Sequence, residues 1–254
     1  MYALQLSRVP SIDDLEQIVA TLPRESSDRI IASNLELMTW IGQPENAIPL
    51  IEGVLTSRHH LRTIASRSYR HVNHFDKIVL VGNDDPQAYR ITLHLWVPPY
   101  AAHARAQELI HGHRFHFWSA ILCGGVRSEN YVRASHGGSV FREYRYVPEQ
   151  RGQSFNDFYE YVGETHLATS GNYHKIAGQA YYLDAANIHR VTLPDKLSCT
   201  LVLRGPRLQS YSHIFNTEYP SDDTQLPNEM FSTSHLTSRL ERLVEEIRAT
   251  AVKR

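Results

Sequence analysis

Ile12, Leu15, Ile18, Val19 and Leu22 fall at the three- and four-residue spacing that lays apolar side chains along one stripe of a helix. Ser11-Ile12-Asp13-Asp14 ahead of them reads as a capping box, and Pro23 stops the segment. The same periodicity predicts a second helix over residues 27–41, ended by Gly42 and Pro44, and a third over 47–65 that Pro49 and Gly53 weaken. At the other end, Leu236, Leu240, Leu243, Val244 and Ile247 form one stripe of an amphipathic helix over 233–252. Between these ends, from Phe75 onward, the period drops to two. In residues 89–97, Ile91, Leu93, Leu95 and Val97 alternate with Arg90, Thr92, His94 and Trp96, as in a strand whose faces differ, with either face open to being the interior. Pro98-Pro99 closes that strand, and 101–108 has room for one helical turn.

Further short strands follow. One runs from the histidine pair at 111–113 through Cys123, turns at Gly124-Gly125 and returns over 126–134. His136-Gly137-Gly138 is a turn before a strand over 140–147, and 148–163 reads as a polar loop carrying Phe155, Phe158, Tyr159 and Tyr161. Two short strands, 163–168 and 173–177, flank Ser170-Gly171-Asn172. Strands at 179–183 and 198–204 bracket a turn at 184–187, and the stretch from Pro206 to Pro227 reads as a meander. Short strands in this number predict a double-stranded barrel or sandwich, so the fold class is α+β, mainly β. The whole chain, 1–254, is expected to be a single domain: a helical layer at 1–70, a barrel at 75–215 and a C-terminal helix at 233–252. The stripes of the helices must be buried on something, either the outer face of the barrel or, for the last helix, a second copy of the chain in a homodimer.

Candidate chemistry lies in two stretches. LIHGHRFHFWSAILCGGVRSEN at 109–130 opens on His111-Gly112-His113, and two histidines two apart on a strand point the same way. Imidazole is the commonest metal-ligating group, but a chain with 15 histidines will produce such a pair by chance. The second stretch, GQAYYLDAANIHRVTLPDKLSCTLVLRGP at 178–206, holds a lone His189 after a strand and a tight turn. A pair from one strand and a single histidine from a later one is how a small barrel brings three ligands to one interior point.

The two motifs, H-G-H at 111–113 with Gly124 thirteen residues after the first histidine and I-H-R-V at 188–191, resemble those of the cupin superfamily. Within it they are most similar to the three-histidine thiol dioxygenases, of which cysteine dioxygenase is the familiar member. The resemblance implies a cupin-type double-stranded β-barrel and an Fe(II) site ligated by His111, His113 and His189. The glutamate of four-ligand cupins is missing, its positions being Phe117 and Trp118. The strand after the third ligand, Ser198-Cys199-Thr200-Leu201-Val202-Leu203-Arg204, lacks the histidine and tyrosine of a cysteine dioxygenase, having Val202 and Arg204 there. Free cysteine is therefore not the expected substrate.

The expected activity is that of a mononuclear non-haem Fe(II) oxygenase taking O2 and a small polar, carboxylate-bearing molecule. Arg204, Tyr181 and Tyr182 are the candidate catalytic residues, and Arg90, His94 and Arg190 the candidate substrate-binding ones, arginine being suited to a bidentate carboxylate clamp. Only one of the neighbouring Tyr181 and Tyr182 should face inward. Two alternatives stand beside this reading: a 2-oxoglutarate-dependent oxygenase, which usually has a carboxylate where His113 stands, and a non-redox metal-binding cupin such as an isomerase or small-molecule sensor. His116 is expected to face away from the other two histidines, and His59, His60, His71 and His74 to be surface or capping residues.

Composition sharpens the picture only at the margins. A net charge of −1 gives no electrostatic case for nucleic acid or an anionic membrane surface. No apolar run approaches the roughly 18 residues of a membrane span. The 2 cysteines, Cys123 and Cys199, lie in apolar runs and read as buried free thiols, which suits a cytoplasmic setting.

Overall fold

The structure, a computed structural model, describes residues 10–82, 85–147, 159–218 and 229–252. Four helices come first: α1 (Ile12–Thr21), α2 (Asp28–Ile41), α3 (Pro44–Thr56) and α4 (Arg58–Ala65). The capping box at Ser11 is formed with Asp14, and Ser27 caps α2. The single third helix expected over 47–65 is two. Ser57 takes an extended conformation, ends α3, and accepts the His60 N–H with its side chain, so one residue closes one helix and opens the next.

Strands follow: β1 (Tyr69–Arg70), β2 (Asp76–Val81), β3 (Arg90–Trp96), a short helix α5 (Ala102–Ala106), β4 (Ile110–His111), β5 (Phe117–Cys123), β6 (Gly125–Arg133), β7 (Ser139–Tyr146), β8 (Tyr159–Ile176), β9 (Ala180–Leu183), β10 (Ile188–Thr192), β11 (Ser198–Arg204) and β12 (Ser212–Asn216), then helix α6 (Thr233–Val252). They form two antiparallel sheets. One has the order β1-β2-β3-β11-β5-β9; in the other β10-β4-β12-β7-β8-β6 the last strand pairs back onto β10 and closes the ring. The architecture is α+β and mainly β, with the sheets facing each other as in the double-stranded barrel that the cupin resemblance implies.

Three strand expectations are corrected. The histidine strand does not run unbroken into Cys123: residues 112–116 turn between β4 and β5, held by the Gly205 N–H on His116 O and the Leu208 N–H on Arg114 O. The two short strands around Ser170-Gly171-Asn172 are one long β8, which absorbs the turn-like residues in a bulge opposite Asn130 and Tyr131 because its two halves pair with different partners, β7 and β6. The expected meander after Pro206 contains β12, which joins β4 to β7. Of the loop expected at 148–163, residues 148–158 lie outside the described residues, as do 83–84 and 219–228 of the other expected loops, while Tyr159 and Tyr161 belong to β8.

The first sheet divides the molecule chemically. On β3 the residues Ile91, Leu93 and Leu95, and on β11 Cys199, Leu201 and Leu203, join one core with the apolar stripes of α1 to α4 and α6. α6 buries Leu236, Leu240, Leu243, Val244 and Ile247 and lies on α3, α4 and β5 of its own chain. Cys123 and Cys199, both free and buried, are opposite each other in that core. The other face of the same strands, Arg90, Thr92, His94 and Trp96 with Thr200, Val202 and Arg204, lines a cavity of about 470 Å³ between the two sheets. The face left open by periodicity is thus settled: apolar under the helices, polar and aromatic toward the interior. Gly124, with φ +66°, makes the tight β5–β6 turn, where a Cβ would stand 2.3 Å from Ser198 Oγ.

Candidate metal centre

His111 sits on β4 directly across from His189 on β10, so register alone points both imidazoles into the cavity. His113 lies just past the end of β4, in the turn, and comes round to them from a non-strand position. The ligating nitrogens of the three lie within 4.8 Å of one another, and His113 Nε2 is 2.9 Å from His189 Nε2. His111 Nδ1 donates to the Leu109 carbonyl at 2.8 Å, which fixes the tautomer and leaves Nε2 as its free donor atom. Leu109 holds that carbonyl in place with φ 55°, a left-handed conformation uncommon for a branched side chain.

Burial is the main cause that lowers the pKa of all three imidazoles, far below the ordinary value for His113 and His189, which the neighbouring imidazoles depress further. The set is neutral, close together and free of carboxylate, a donor set that a divalent cation with affinity for nitrogen can use. Phe117 packs against His113 at 4.9 Å and Phe115 at 5.7 Å, shielding the cluster on one side.

Around the imidazoles the structure separates the other sequence candidates. His94 lines the cavity half-buried, has its pKa held well below the ordinary value chiefly by that burial, and stacks on Phe75 at 4.2 Å. Arg90, Arg204 and Tyr181 line it too, and burial raises the Tyr181 pKa so that the phenol stays protonated. Tyr182 and Arg190 do not reach it. Tyr182 points to the helical side of the sheet, near Trp118, with its hydroxyl 2.9 Å from His116 Nδ1 and donating to Asp184. Arg190 faces outward and is bound to Glu129 at 2.6 Å. Both follow from alternation, since each is the immediate strand neighbour of an inward residue. His116 faces away from the three imidazoles, as expected.

His71 departs from its expected surface position: it lines the cavity and stacks on Phe75 at 4.5 Å with 9° between the planes. No periodic signal marks it, because β1 is two residues long and the approach is made through an irregular turn. Arg67, Arg114 and Arg207 also line the cavity and were not candidates. Arg114 had a signal in the sequence, its place directly after His113; Arg67 and Arg207 had none.

No protein-family model and no curated protein matches the sequence. Among solved structures the chain is similar to the dimethylsulfoniopropionate (DMSP) lyase DddQ from Ruegeria pomeroyi DSS-3, with 13% identity over 55% of this chain and 50% of that one and a TM-score of 0.31. It is similar also to the hydroquinone 1,2-dioxygenase PnpCD (13%, covering 57% and 69%, TM-score 0.30) and to the Bacillus subtilis oxalate decarboxylase (14%, covering 59% and 30%, TM-score 0.33). The chain spans about half the length of the lyases it matches. With identities this low, the chemistry of the site rests on its own residues.

Proposed function

We propose that the chain is a mononuclear non-haem Fe(II) oxygenase of the cupin type, acting with O2 on a small anionic substrate other than free cysteine. The observation that carries this reading is the convergence of three imidazoles, His189 buried and His111 and His113 half-buried, in a cavity whose described lining holds arginine and lysine but no aspartate or glutamate. The 2.9 Å between His113 Nε2 and His189 Nε2, a spacing that a hydrogen bond between the two rings also gives, is close enough for one divalent ion to hold both nitrogens. Fe(II) held there would supply redox chemistry and adjacent open positions for O2 and substrate.

The residues of the chain do the rest. Arg204 and Arg90, paired across β11 and β3, hold the anionic group of the substrate. His94 and Tyr181, one a neutral base and the other a neutral phenol, are placed to accept or donate a proton beside the imidazoles. Phe115 and Phe117 keep water from the metal side.

A second reading, dependence on 2-oxoglutarate, is favoured by one feature: Arg204 lines the cavity on the strand that follows His189. One assay separates the two. Oxygen uptake by iron-loaded protein is measured with a panel of small carboxylates and phosphonates, with and without 2-oxoglutarate. The first reading expects uptake that needs iron and one of the panel but no 2-oxoglutarate. Uptake that needs 2-oxoglutarate would establish the second, and no uptake under any condition would leave a non-redox cupin.

A further inference from the structure

The imidazoles stand between two cationic ends of the cavity. At one end Arg204, on β11, is 6% exposed, and its guanidinium lies over the Phe115 ring at 5.3 Å, with that ring 5.7 Å from His113. At the other end Lys77, on β2, is the direct cross-strand partner of His94 and lines the cavity half-buried, its Nζ 5.8 Å from the centre of the Tyr69 ring. His94 in turn is close to the centre: after burial, Lys77 and then His111 hold its pKa down. The order along the cavity is therefore Arg204, Phe115, the three imidazoles, His94 and Lys77.

Both ends have a donor to offer. Arg204 Nη2 donates to the carbonyls of Pro86 and Ala88, while the buried Nε–H has no partner. The carboxylate that acts on Arg204 is Asp85, outside the cavity lining and bound to Arg24. Lys77 forms no ion pair with a carboxylate among the described residues, and Tyr69 gives its ammonium the face of a ring. An ammonium and a guanidinium drawn partly out of water are both stabilised by an anion that joins them. Their spacing follows from register: His94 and Arg90, the partners of Lys77 and Arg204, are four residues apart on β3, about 13 Å at the rise of a strand.

One carboxylate at each end, with about 3 Å for each polar contact, leaves about 7 Å between the two groups, the span of a chain of roughly six to eight carbons. The middle of such a chain passes the three imidazoles, and Phe75, Trp96 and Phe115 give its methylenes apolar walls. We propose that the cavity takes a dicarboxylate lengthwise, one carboxylate on Arg204 and the other on Lys77, so that an interior carbon rather than an end of the molecule is presented for reaction. A short diacid such as succinate reaches one cation at a time. The inference rests on the cavity being the substrate site of the function proposed above, but not on which metal the imidazoles hold.

The test is calorimetric titration of the full chain, metal-loaded and metal-free, with succinate, 2-oxoglutarate, adipate, suberate and the monomethyl esters of adipate and suberate. Each ester keeps the length of its diacid and loses one charge, so the ratio of the two affinities reads the second cation alone. Adipate or suberate should bind most tightly of the series, about tenfold or more above its own ester, the worth of a charged hydrogen bond. Lys77→Met should bring diacid and ester to equal affinity, and Arg204→Gln should do the same from the other end, whereas Lys77→Arg should keep most of the difference. Should one of the first two variants fail to fold, the other gives the same readout. A diacid that binds no better than its ester, a difference that survives in a folded Lys77→Met or Arg204→Gln, tightest binding by succinate or 2-oxoglutarate, or no binding of any diacid would each overturn the proposal. Failure of the iron reading looks different: wild-type protein that takes up no iron yet prefers the long diacid to its ester.

Discussion

His94, His113 and His189 share one physical state, an imidazole kept neutral by partial or full burial, and that state has a measurable consequence. Burial puts their folded pKa values well below the ordinary 6.5. The unfolded chain then binds more protons than the folded one as pH falls through 6.5, so the metal-free protein loses stability on acidification and gains nothing on further alkalinisation. Glu129 and Glu143, whose pKa values are lowered in the folded state, contribute stability that is lost only below about 4.5, so they do not obscure this window. The urea midpoint of metal-free protein should be level from pH 8 to 7 and fall between pH 6.5 and 5.5; a level midpoint throughout would mean the imidazoles are not buried as described. At this scale the sequence was informative wherever strand alternation applied. His189 inward implies Arg190 outward, and Tyr181 inward implies Tyr182 outward, so two of the residues first grouped with the site could have been set aside on register alone. His71 and Arg207 reach the cavity from irregular segments, where no period exists to read.

Elements show a similar division. α1, α2 and α6 follow their stripes and caps closely, because helix propensity, capping and burial all act within a few consecutive residues. The break between β4 and β5, the joining of β8 into one strand, and β12 depend on partners distant in sequence. The 112–116 turn is held from residues 205 and 208, and β12 exists because β4 and β7 each offer it an edge. Such long-range pairing leaves little local trace. α6 also gives a stability prediction. Leu240 is fully buried between this helix and the core, so Leu240→Ala should cost about 2–5 kcal/mol, read from chemical denaturation, while iron content of the folded protein stays unchanged. A loss under about 1 kcal/mol would mean that α6 is not docked on its own chain in solution.

On the scale of the whole molecule, one sheet carries two chemistries on its two faces. The helices at both ends of the chain bury the apolar face of that sheet and no helix among the described residues is long and apolar enough to cross a membrane. The opposite face closes over the cavity with the second sheet, so the core that stabilises the fold and the residues that form the site hardly overlap. Loss of one imidazole should therefore empty the centre without unfolding the protein. The most direct measurement is the metal content of iron-reconstituted wild-type protein and of His189→Ala, each checked for an unchanged circular dichroism spectrum. Wild type should hold about one iron per chain and the folded variant close to none, whereas stoichiometric iron in folded His189→Ala would contradict the three-histidine centre.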